Sequence, residues 1–266
     1  MSDQRLLQYD IKWDQFEGKP ITDIHFKNYE LVVEFMWNTS FQTNVVFKGL
    51  GFTELPEMKK IYTDYVMHIL RNECSVMMLN ESETEIEAVA LLEWMTEEWH
   101  SWVYLPSCVP KCLFQQLIML RKELIERTAT TLELDNFDSL MVHELGFPEE
   151  LYYNNDFQMC LFDVFGAVAQ HFHMPRVSFI ALSLRDQYAA DLAAYTEYGR
   201  SIYSIYKVGN TRPFDVLREL DEMYALLFVL PVEPIVFYEH MPGFEEFQEA
   251  LKAKLRKEQE EKEELM

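Results

Sequence analysis

Apolar residues along this chain keep two rhythms, the every-other spacing of a strand and the three-and-four spacing of a helix, and the switches between them mark the elements. Residues 24–29 read as a first strand and its exit, and 31–37 as a helix. Residues 56–72 carry Ile61, Tyr65, His68 and Ile69 on one helical face. Residues 75–79 and 86–94 predict paired strands, joined by the acidic turn 80–85. A long amphipathic helix is predicted over 111–130, with Leu113, Leu117, Leu120, Leu124 and Ile125 in one stripe. Residues 132–143 lead into a central strand. Tyr152 and Tyr153 read as strand-like, 155–163 as a loop, 164–172 as a helix stopped before Pro175, and 177–182 as the next strand. A further helix over 187–198 and a buried last strand over 224–230 complete an α/β pattern: a mixed central sheet flanked by helices, in one domain over 5–240. Past Pro242-Gly243, the residues Phe244, Phe247, Leu251 and Leu255 share one stripe inside a run of charges, so 241–266 is expected to be a charged helical tail.

The stretch 155–163 changes the picture most. A strand, loop, helix, strand unit often binds phosphate at its loop, where glycines let the backbone N–H groups close on the anion. Gln158-Met159-Cys160-Leu161-Phe162-Asp163 has no glycine. Leu161 adds a branched side chain where backbone should approach an anion, and Asp163 adds a like charge. The unit resembles the one that carries the Arg/Gln-x-x-Gly-x-Gly/Ala loop in the GNAT acyltransferase superfamily, with Gln158 alone matching. The order of elements over residues 5 to 237 is most similar to the insect arylalkylamine N-acetyltransferases. On that resemblance the fold is GNAT-like, and the loop that would hold acetyl-CoA is degenerate at Gln158, Leu161 and Asp163. Aligned on Leu50-Gly51, the family's catalytic glutamate falls at Asn44, whose amide cannot take a proton from an amine at neutral pH. No catalytic residue and no cofactor are then expected, and the chain reads as a pseudoenzyme: a GNAT-like interaction or scaffold module. The alternative is a divergent acyl-CoA-dependent N-acyltransferase acting on an amine, binding acetyl-CoA or acyl-CoA with Arg176 or Arg185 offsetting Asp163. Tyr203 and Tyr206 stand where many relatives keep a tyrosine acid, and a structural role is expected of both.

Charge narrows the partners. With 45 acidic and 23 basic residues the formal net charge is −22, which repels phosphate backbones and anionic membranes. Nucleic acid and membrane are therefore not expected, and a protein partner with a basic surface is. Trp94, Trp99 and Trp102 crowd into nine residues with Glu97 and Glu98 between them. They read either as an aromatic box for an ammonium group or as packing under a loop, and packing is the expectation. Together with Phe244, Phe247 and Leu251 they are the candidate interaction residues. Four cysteines without a signal peptide or a long apolar run point to an intracellular protein with reduced thiols, in the cytoplasm rather than the nucleus. Cys108 and Cys112 make at most half a zinc site, so no metal is expected. His143-Glu144 beside the central strand could act as a base only in an open cleft; the acidic residues around it read as a solvated face.

Overall fold

Glu17 and Gly18 both take positive φ, 50° and 81°, the combination a two-residue hairpin turn needs. They join β1 (Lys12–Phe16) to β2 (Lys19–Asp23). The computed structural model describes residues 6–96, 112–131 and 138–232. These belong to a unit bounded at Val232. The strand expected over 24–29 is instead a short 3-10 turn at Phe26–Asn28 leading into α1 (Tyr29–Met36); the hairpin before it supplies the sheet edge.

Eight strands run in the order β1-β2-β3-β4-β5-β6-β8-β7. After the hairpin come β3 (Val76–Leu79), β4 (Ile86–Met95), β5 (Ser139–Gly146), β6 (Arg176–Ala181), β7 (Thr196–Ile202) and β8 (Tyr224–Pro231). Only β5 and β6 pair in parallel; every other neighbour is antiparallel. Both faces are covered. On one lie α1, α2 (Val45–Gly49), α3 (Met58–Leu70) and α4 (Leu113–Thr131); on the other lie the single turn α5 (Glu149–Tyr152), α6 (Asn155–His171) and α7 (Leu184–Leu192). The alternation of β4 shows why: Val89, Leu91 and Met95 enter the first core, while Ala88, Ala90 and Leu92 enter the second. In α3 the buried stripe is Met58, Ile61, Tyr62, Tyr65, Val66 and Ile69, as the spacing predicts.

Two expected boundaries move. Residues 155–163 are helix, not loop: α6 starts at Asn155, and the Asn154 side chain caps it by accepting from the Phe157 N–H at 3.0 Å. Tyr152 belongs to the helical turn before it. The helix expected over 187–198 stops at Leu192, Ala194 turns left-handed, and β7 begins at Thr196. Trp99, Trp102, Phe244, Phe247, Leu251 and the proposed tail lie outside the described residues.

Candidate functional site

The parallel pair β5–β6 ends early. Register runs from Leu140 opposite Val177 to Val142 opposite Phe179; beyond this β6 pairs only with β8, through Ile180 and Ala181, while β5 continues along β4 to Gly146. The two strands therefore part from His143 onward and open a wedge at the C-terminal end of β5, the place where ligands enter sheets of this kind. On the β4 side Leu91 faces Glu144 and Leu92 faces Val142, so His143 is the extra residue of a bulge. The bulge breaks the two-residue alternation, and His143 and Glu144 both turn toward α3, where consecutive strand residues would otherwise point apart.

What fills the wedge is a buried polar network. Glu144 Oε1 accepts from the Tyr62 hydroxyl at 2.7 Å and from the Ser40 hydroxyl. Arg121, inside the apolar stripe of α4, donates from Nη1 to the Tyr65 hydroxyl at 2.8 Å. That hydroxyl lies 3.4 Å from His143 Nδ1, and His143 Nε2 lies 2.7 Å from Glu93 Oε2. The carboxylate fixes the tautomer: Nε2–H donates to Glu93, leaving Nδ1 to accept from Tyr65. Every member is buried, Glu93 at 0% exposure and Arg121 and Glu144 at 4% and 5%. Burial pushes the Glu144 carboxyl up against the pull of Arg121, pushes the Asp186 carboxyl up against the pull of Arg185 and, more weakly, Arg121, and pushes His143 down against the pull of Glu93. The cavity left among Asn44, Arg121, His143, Glu144, Leu182 and Asp186 has a volume of about 10 Å³. That is roughly room for one water, against the roughly 300 Å³ and more of an ordinary ligand cleft.

The sequence-singled residues fall on both sides of this wedge. Asn44 lines it, but its Oδ1 accepts from the Val46 and Phe47 N–H groups at 2.9 and 3.3 Å and so caps α2. Gln158 and Leu161 are buried in the second core within α6, Gln158 donating from Nε2 to the Leu151 carbonyl at 2.8 Å. Asp163 is exposed on the same helix, away from its N-terminus. Residues 147–154, just ahead of that N-terminus, contain no glycine; Asp156 lies in the first turn of α6, and Glu149 and Glu150 lie in the first turn of α5. Of the two candidate compensating arginines, Arg185 stacks over the Tyr152 ring at 3.4 Å, beside the start of α6. Arg176 begins β6 at the other end of the sheet. Tyr203 donates to the Leu182 carbonyl at 2.7 Å and Tyr206 to Glu123 at 3.2 Å, both structural bonds. Trp94 is half-buried against the second core. Among the described residues no cluster of metal ligands occurs, Cys74, Cys112 and Cys160 are free, and no helix is long and apolar enough to cross a membrane.

Arg121, Tyr62, Tyr65 and Glu93 were not singled out from sequence. The signal was present for one: Phe114, Leu117, Ile118, Leu124 and Ile125 define a stripe that Arg121 interrupts in phase.

No protein-family model matches the chain, and no curated protein sequence does. Solved structures are similar in fold. Arylalkylamine N-acetyltransferase 2 from Aedes aegypti superposes with a TM-score of 0.67 at 13% identity, over 80% of this chain and 98% of that one. The Drosophila melanogaster polyamine N-acetyltransferase gives 0.66 at 13% identity, over 80% and 99%. The C-terminal condensation domain of Ebony, in complex with β-alanyl-dopamine, gives 0.58 at 14% identity, over 80% and 99%. The chain has the GNAT fold, a mixed eight-stranded sheet flanked by helices.

Proposed function

We propose that this chain is a non-catalytic GNAT-fold protein that works as an interaction module for a protein partner with a basic surface. The observation that carries this reading is the filled wedge: the Arg121–Tyr65–His143–Glu93 and Ser40–Glu144–Tyr62 chains leave a cavity of about 10 Å³ at the C-terminal end of β5, too small for an acyl thioester. Two further features support it. The first turn of α6 carries a carboxylate, Asp156, which repels a pyrophosphate there, and Asn44 is engaged as a helix cap. The free thiols fit an intracellular, reducing setting. Calorimetric titration of the full chain with acetyl-CoA and with a long-chain acyl-CoA tests the reading. No heat up to millimolar ligand is the expected result; micromolar binding of either overturns it.

One observation favours a second reading, a divergent acyl-CoA-dependent N-acyltransferase. Arg185, over Tyr152 beside the start of α6, is a cation placed to offset the local carboxylates. On this reading Arg185→Gln abolishes acyl-CoA binding that the natural chain possesses.

A further inference from the structure

At the opposite end of the sheet from the wedge, where β4 finishes and β5 begins, lies a cavity of about 520 Å³. It is bounded by His68, Arg71, Asn72 and Glu73 from the last turn and exit of α3, by Trp94 of β4, and by Phe172 at the end of α6. The size is that of a small-molecule site. Its lining combines three elements that are rarely left idle together. The indole of Trp94 and the ring of Phe172 both border the second core only in part and turn the rest to the cavity. His68 Nε2 is a buried atom with no hydrogen-bond partner among the described residues, and burial holds this imidazole in its neutral form. At the rim stand two exposed, opposite charges one residue apart, Arg71 and Glu73, and neither side chain makes an ion pair or hydrogen bond among the described residues. Glu73 sits at a left-handed φ of 56°, so the chain reverses between the two.

We propose that this cavity binds a free aromatic amino acid: the ring between Trp94 and Phe172, the carboxylate at Arg71 and the ammonium at Glu73. A ligand with one charge leaves a rim charge unmatched, and a peptide-bonded residue leaves both. A zwitterion matches both and, being neutral, crosses the field of a chain of net charge −22 without the repulsion an anion meets. Stacked and edge-on ring contacts add to binding beyond the burial of the ring itself. Exposed ion pairs of the rim type add less, so the ring sets affinity and the charges set selectivity.

The test is calorimetric titration of the full chain with L-tryptophan, tryptamine, indole-3-propionate, N-acetyl-L-tryptophan amide and L-leucine. L-tryptophan is expected to bind tightest, with the two singly charged analogues about threefold weaker each and leucine about tenfold weaker. Arg71→Gln is expected to erase the advantage of L-tryptophan over tryptamine, and Glu73→Gln its advantage over indole-3-propionate. Trp94→Leu is expected to remove binding; if that variant does not fold, the two rim variants, both at exposed positions, still decide. Failure of L-tryptophan to bind at its solubility limit overturns the proposal, as does equal binding of the charged forms. Tightest binding by the N-acetyl amide overturns it too, and reassigns the cavity to an aromatic side chain of a partner protein.

Discussion

Arg121 is the residue on which the wedge turns. It reaches the Tyr65 hydroxyl from the middle of an apolar stripe and is the one cation whose charge opposes the burial of Glu144 and Asp186 together. Removing one partner from a buried charged network leaves the others uncompensated. Arg121→Met is expected to destabilise the fold by about 3–5 kcal/mol, and Tyr62→Phe, which takes one donor from Glu144, by about 1–3 kcal/mol; urea unfolding at pH 7 reads both. Asn44 gives a contrasting case. As a helix cap it should lose about 1 kcal/mol on Asn44→Ala and little on Asn44→Asp, because the aspartate still accepts from the Val46 and Phe47 N–H groups. The sequence shows that Asn44 is no base, but the bond it makes is a matter of backbone geometry. The phase of Arg121 within its stripe is legible in the sequence; the tyrosine it meets, Tyr65, 56 residues away on α3, is not.

At the scale of elements, the long stripes and alternating runs of α3, α4, β3, β4, β6 and β8 can be read directly, since one buried face imposes one period. The first hairpin was missed: its strands are short and lie at the sheet edge, where Lys12, Asp14 and Gln15 break the pattern. The start of α6 was misplaced for a different reason. Tyr152 and Tyr153 look like strand residues, yet Asn154 with Asp156 two residues on is a helix-start signal, and it prevails. The stretch read as a degenerate phosphate loop thus lies inside a helix, whose first turn carries Asp156. The corner before β8 supplies a pH-dependent test. Glu222 accepts from the Leu184 N–H at 2.8 Å at the start of α7, and burial, with Asp186 nearby, pushes its carboxyl up to about 7. The folded state therefore holds this proton where the unfolded chain has released it. Its contribution is full below the ordinary carboxylate value of about 4.5 and is lost as pH rises toward 7. Thermal unfolding between pH 4.5 and 7 is expected to show a shallower fall in stability for Glu222→Gln than for the natural chain.

For the whole molecule, charge is the dominant fact. A net charge of −22 sets up a field that favours cationic partners and that salt screens over roughly 8–10 Å at 0.1–0.15 M. If a basic partner is captured through the full chain, its association rate is expected to fall by about tenfold or more between 50 and 300 mM salt, with a much smaller change in dissociation rate; surface-immobilised kinetics at graded salt measure this. A salt-independent rate would point to an apolar interface instead. The fold was legible at this scale through the order of its helices and strands.

The extra residue at His143 has one further consequence, for ligands rather than for stability. The wedge is filled by side chains, and the bulge in the register of β5 against β4 is what turns His143 and Glu144 into it together. A ligand can draw a protein into an open form only by as much as it binds that form better. Here an open form must break the Glu144, His143 and Arg121 bonds. To populate such a form from one molecule in a hundred to ninety-nine would take a preference of about 10⁴-fold, which a ligand of this strand end would have to supply.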